Sequence, residues 1–106
     1  MKSKALEFLS PVVRKKLKSI GKNISMARRR RKQSQKEFAE RCRISITTLK
    51  NIESGDPAVG FGLYGMALHA LGLSNDLDLI GAPERDSLGN LITESELPKR
   101  IKKSKS

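Results

Sequence analysis

The chain has 106 residues, 37% of them apolar, with three Phe, one Tyr and no Trp. That suffices for one compact domain with a small aliphatic core, and not comfortably for two. A formal net charge of +11 favours a polyanionic partner, nucleic acid first and an anionic membrane surface second.

The charge is polarised. Residues 1–50 hold sixteen Lys/Arg against Glu7, Glu37 and Glu40, while residues 51–98 hold Arg85 alone against eight acids. The last eight residues, "KRIKKSKS", are basic again. Such a chain offers a basic face to a polyanion and an acidic flank to a protein partner. The longest apolar stretches fall far short of the roughly 20 residues of a spanning helix. The start, "MKSKALEFLSPVV", has a basic onset but not the long apolar region of a signal peptide. Cys42 is the only cysteine, so no intrachain disulfide can form. It stands at an apolar helix position and reads as a small core residue in a reducing cytosol.

In chain order, Ser10-Pro11 is a helix start, with Ser at N-cap and Pro at N1. Val13, Leu17, Ile20, Ile24 and Ala27 then draw one stripe along a helix running to about Lys32. The stripe has two readings: all of it faces the core, or Val13, Leu17 and Ile20 extend beyond the domain and support a dimer or another partner. Gly21 weakens helix continuity by roughly 1 kcal/mol relative to Ala. A break there would separate an N-terminal arm from the domain. Ser34 and Glu37 form the S-x-x-E capping box of a second helix, with Phe38, Ala39 and Cys42 inward. After a tight connection, Ser45 caps a third helix, "ITTLKNIES", with Ile46, Leu49 and Ile52 apolar and Gly55 as its terminator. A fourth helix spans about Phe61 to Leu71, carrying Leu63, Met66, Ala67, Ala70 and Leu71. Asn75 to Ile80 can form one more short turn.

No strand alternation of any length appears. The expected fold is all-α: a compact four- to five-helix bundle containing a helix-turn-helix. The expected division is an arm or helix extension over 1–19, a DNA-binding domain over 20–82, and a polar, basic tail over 83–106. That tail carries Leu88, Leu91, Ile92, Leu97 and Ile101 among its charges, between Gly89 and Pro98. A segment of this kind orders on a partner or simply solubilises.

Two short helices joined by about three residues, with small Ala39 at the crossing, form a helix-turn-helix. The third helix then turns Ser45, Thr47, Thr48, Lys50 and Asn51 outward. Hydroxyls and amides on such a face reach base edges in a major groove, and Lys50 reaches a guanine edge or a phosphate.

Residues 20–73 resemble the Xre (Cro/CI-type, phage-repressor-like) helix-turn-helix family, through Ile24, Arg28, "SQKEFA" (34–39) and "ISITTLKNIESG" (44–55). The continuation "GDPAVGFGLYGMALHALGL" (55–73), with "RDSLGN" and "ELPKRIK" later, is similar to the HipB-like antitoxins encoded beside HipA-like kinase toxins. The resemblance implies that Ser45, Ile46, Thr47, Lys50 and Asn51 form the base-reading surface, with Thr48 partly turned towards the domain. It places Gln35 beside the DNA backbone or an adjacent base. It pairs Arg28 with Glu53 as a structural fork. The family often has Gly at the turn where this chain has Arg43; if φ there is positive, a non-Gly residue costs on the order of 1 kcal/mol.

Arg29, Arg30, Arg31 and Lys32 point in successive directions, so they cannot all serve one surface. The expected backbone contacts are Arg30, Arg31, Ser34, Gln35, Lys36 and Arg43. No catalytic constellation is visible: His69 is the lone histidine, and neither a Gly-rich phosphate loop nor metal-ligand spacing occurs. The reading is therefore no enzyme, no metal and no cofactor. The expected protein is a cytoplasmic, nucleoid-associated antitoxin and autorepressor. It would bind an inverted-repeat operator in double-stranded DNA as a homodimer, and a HipA-like kinase toxin. A stand-alone repressor without a toxin is the alternative.

Overall fold

The computed structural model describes residues 4–92 together with Glu96 and Leu97. Pro98 and Ile101 of the expected tail lie outside the described residues, as does the basic run that follows. Among the described residues the chain is all-α, without a strand. The helices are α1 (Lys4–Glu7), α2 (Pro11–Arg30), α3 (Gln35–Cys42), α4 (Ile46–Glu53) and α5 (Phe61–Ala70). Short 3₁₀ turns follow at Ser74–Leu79, Pro83–Arg85 and Gly89–Leu91. No described helix is long and apolar enough to cross a membrane.

Local chemistry sets the helix boundaries. The Ser10 hydroxyl accepts from the Val12 N–H at 3.1 Å, opening α2 just before Pro11. At α3 the capping box is complete: Glu37 N–H donates to Ser34 Oγ, and Ser34 N–H donates to Glu37 Oε1, each at 3.0 Å. Ser45 Oγ accepts from Thr48 N–H at 3.0 Å and starts α4. Each such cap is worth about 1 kcal/mol. α4 ends in a Schellman arrangement around Gly55, with Asp56 N–H donating to Asn51 C=O at 2.9 Å.

The single helix expected from the stripe is present and the break that Gly21 would allow does not occur; α2 runs unbroken through it. The reason is a close approach, not a kink. A Cβ on Gly21 would stand 2.7 Å from the Glu53 carbonyl oxygen and nearer still to that of Ile52. One turn earlier, the backbone of Leu17 and Lys18 lies against Gly55, where a Cβ would again collide and φ is +76°. Leu17 to Gly21 thus cross the end of α4, and no structural boundary falls at residue 19.

The core is small and aliphatic around one aromatic ring. Ile24 of α2, Phe38 of α3, and Leu49 and Ile52 of α4 are fully buried. Ala27, Ala39, Cys42, Tyr64, Ala67 and Leu71 complete it. Each large side chain buried in this way contributes about 1.5–3 kcal/mol. Of the apolar residues of α5, Ala67 is buried while Leu63 and Met66 are exposed, and Tyr64 is 2% exposed. The Tyr64 hydroxyl donates to the Asp56 carbonyl at 2.8 Å, which satisfies the one polar atom that burial brings inside. Beyond α5, Ala82 is also buried.

Candidate nucleic-acid interface

The connection between α3 and α4 is Arg43, Ile44 and Ser45. Arg43 adopts φ +57° and ψ +42°, the left-handed region that costs an L-residue about 1 kcal/mol. Its conformation lets Ile44 N–H close back on Ala39 C=O at 3.0 Å, while its side chain stays exposed.

α4 turns Leu49 and Ile52 inward and leaves Ile46, Thr47, Lys50 and Ser54 exposed, with Thr48 and Asn51 half-buried. This face carries hydroxyls, one amide, one cation and no acid. Of the expected reading residues, Thr47 and Lys50 are exposed, Ile46 is 40% exposed and Asn51 is half-buried. Ser45 is exposed, but its hydroxyl is committed: besides capping α4 it donates to Thr48 Oγ1 at 2.9 Å. It therefore orders the start of the helix.

Glu53 is where three chain segments converge. Arg28 of α2 donates to it through Nε at 2.7 Å and Nη2 at 3.1 Å. Gln35, first residue of α3, donates Nε2–H to Glu53 Oε1 at 3.1 Å. Arg28 Nη1 also donates to the Gln33 carbonyl at 2.8 Å. Burial alone would raise the Glu53 pKa. The hydrogen bonds from Arg28 and Gln35, with the charge of Arg28, outweigh burial and hold it below its ordinary value. The Arg28–Glu53 fork expected from the resemblance is present.

Two of the expected backbone contacts are engaged elsewhere. Gln35 is half-buried with its amide N–H₂ on Glu53, so it ties α3 to α4 instead of standing ready for a phosphate. Arg31 donates to Ala27 C=O at 2.9 Å and Leu71 C=O at 3.0 Å. It braces α2 against the carbonyl end of α5, where a cation also meets the negative end of the helix dipole. Arg41, a residue sequence reasoning did not single out, reaches Ala70 C=O at 3.4 Å beside it. Arg30, Ser34, Lys36 and Arg43 are exposed. The Ser34 backbone and hydroxyl hydrogen-bond Glu37, holding its carboxyl below the usual range.

Cys42 is buried, and that burial pushes its thiol up despite the charge of Arg41. His69 is exposed. Among the described residues no group of three or more His, Cys, Asp or Glu could hold a metal ion.

The residues expected to meet a partner fall at a different place. Leu17 and Ile20 line an apolar groove of about 220 Å³, walled by Phe61 and Leu68 of α5 and by Leu77 and Ile80 after it. Val13 is exposed one turn away. Phe61 and Ile80, which also line the groove, are 59% and 62% exposed. Comparison of the chain with family models, with curated proteins and with solved structures finds no match in any of the three.

Proposed function

We propose that this protein binds double-stranded DNA sequence-specifically through a helix-turn-helix made of α3 and α4. The observation that carries the reading is the acid-free outward face of α4, with Thr47, Lys50 and Asn51 on a helix whose start is rigidly capped and whose end is locked by Glu53. Side chains of these types match the donor and acceptor pattern of major-groove edges, and Arg30, Lys36 and Arg43 supply charge for phosphates. The protein acts as a dimer on an inverted repeat, with the groove of Leu17 and Ile20 at the contact between copies. By its resemblance to the HipB-like branch, it is the antitoxin and autorepressor of an operon encoding a kinase-like toxin. The acid-rich second half and the apolar residues from Leu88 onward are offered to that toxin. Selection from a random duplex library tests the DNA reading. The expected winner is an inverted repeat with half-sites about one helical turn apart. No enrichment of any motif would end it. A kinase-like reading frame beside the gene supports the antitoxin assignment, and its absence favours a stand-alone repressor.

A further inference from the structure

A second charged surface lies along α2, and the contacts above do not use it. α2 contains eight Lys/Arg and no acid. Arg14, Lys15, Lys18, Lys22 and Arg29 are all exposed. At 3.6 residues per turn these five fall within about a quarter of the helix circumference. Over fifteen residues the stripe runs roughly 22 Å at 1.5 Å per residue. Arg14 and Arg29 each donate only to a neutral backbone carbonyl, of Leu6 at 2.7 Å and of Ser25 at 3.4 Å. The one ion pair found among the described residues is Arg28–Glu53, so none of the described acids pairs with the stripe.

Its position gives it a use. The backbone of Lys18 lies against Gly55, directly after exposed Ser54 at the end of α4, and Gly21 lies against Ile52 and Glu53. The stripe therefore runs past the carboxyl-terminal end of the proposed reading helix, which α2 touches from Leu17 to Arg28, on a rigid, continuous rod. We propose that Arg14, Lys15, Lys18, Lys22 and Arg29 track the phosphate backbone of the duplex flanking the site that α4 reads. The inference rests on the DNA-binding reading above. The phosphates of one strand are spaced about 3.4 Å along the duplex axis and farther apart along the winding strand itself, so the stripe spans several successive phosphates but fewer than six. A lipid surface is disfavoured by what lies beside the stripe. An interfacial helix inserts its apolar face, and Gly21, Ile24 and Ala27 of that face are already buried in the domain.

The test uses the full chain with Lys15, Lys18 and Lys22 all changed to Gln. Its charge-matched control changes the off-stripe cations Lys4, Lys16 and Arg85 to Gln. Binding is titrated between 50 and 200 mM salt on a 30-bp duplex of random sequence and on the selected site with and without flanks. Each lost phosphate contact lowers the log–log salt slope by about 0.9. The stripe variant should therefore lose on the order of forty-fold less affinity across that salt range than the wild type. Its preference for the selected site over random DNA should be unchanged, and a duplex trimmed to the bare site should not distinguish it from wild type. A slope equal to that of the control overturns the stripe while leaving the reading helix standing. Wild-type protein that binds neither duplex overturns both. Stripe-dependent binding to phosphatidylserine vesicles with none to DNA overturns it in favour of a membrane. Thermal melting of both variants at the wild-type temperature shows that folding is not the cause.

Discussion

Arg28 and Glu53 meet as a two-pronged fork, Nε to Oε2 at 2.7 Å and Nη2 to Oε1 at 3.1 Å, with each side chain less than a tenth exposed. The pair joins the last turn of α2 to the last residue of α4, and Gln35 adds the start of α3 to the same carboxylate. One carboxylate thus ties three helices together at the end of the proposed reading helix, beside the buried Leu49 and Ile52.

Arg28→Ala should destabilise the protein without any DNA present. Removing one partner of a buried pair strands the other and costs about 3–5 kcal/mol. For a domain of this size each kcal/mol shifts the melting temperature by roughly 4–8 °C, so a fall of about 12 °C or more is expected. Arg30→Ala, at an exposed position, should shift it by no more than about 2 °C. Equal melting temperatures for the two variants by circular dichroism would move Arg28 from architecture to the phosphate surface.

The same carboxylate gives the fold a defined acid sensitivity. The pKa of Glu53 is lowered from 4.5 in the folded protein. A depressed folded pKa means that the unfolded chain takes up the proton first as pH falls. The stabilisation is therefore fully present above about 4.5 and is lost as pH drops through the lower folded value. Denaturant midpoints measured from pH 6 to pH 3 should fall for the wild type. In Glu53→Gln, which has no proton to gain there, the decline should be visibly shallower. Parallel curves would mean that other carboxylates carry the acid response.

Gly21→Ala separates two opposed effects. In an ordinary exposed helix the change stabilises by about 1 kcal/mol. Here the new methyl would strike the carbonyls of Ile52 and Glu53, which are backbone atoms with little room to yield. Overpacking of this kind costs about 1–3 kcal/mol, so the net change should be a lower melting temperature. A rise would show that α2 and α4 separate easily at this crossing.

Arg43→Gly should run the other way. The left-handed conformation of Arg43 is free for Gly and costs an L-residue about 1 kcal/mol, partly offset by the greater freedom of Gly in the unfolded chain. A gain of a few tenths of a kcal/mol in chemical denaturation is expected, together with weaker DNA binding if the guanidinium meets a phosphate. Loss of stability would mean that the Arg43 side chain anchors the turn.

What could be read in the sequence was chiefly local. Ser10, Ser34, Ser45 and Gly55 declare their helix ends through neighbours no more than a few residues away, and the structure places those ends accordingly. Gly21 could not be interpreted in that way, because its reason for being glycine lies thirty-one and thirty-two residues further on, at Ile52 and Glu53. The facing of α5 was not legible for another reason: apolar residues surround the helix, so periodicity carries no phase, and the Asp56 carbonyl that satisfies inward Tyr64 lies outside it. The run at 28–32 shows the same division. Arg28 could be assigned from the resemblance, whereas Arg31 braces a carbonyl forty residues distant, at Leu71, which no charge pattern announces.

The division of labour on DNA is the sharpest remaining test of the α4 face. Thr47 is exposed and Asn51 half-exposed on the one side of α4 that no other helix covers. If they meet base edges, Thr47→Ala or Asn51→Ala should cost about 1–3 kcal/mol on the selected site. Binding to random DNA should barely change, because non-specific affinity comes from phosphate charge. Arg30→Ala and Lys36→Ala, at exposed cations outside α4, should weaken binding to both duplexes about equally and shallow the salt dependence. Gln35→Ala belongs to neither class: with its amide on Glu53, it should lower thermal stability first and binding only as a consequence. Fluorescence anisotropy on both duplexes gives the specificity ratio for each variant. If Thr47→Ala and Asn51→Ala keep the wild-type ratio, α4 is not the reading helix, however well its exposed face suits the task.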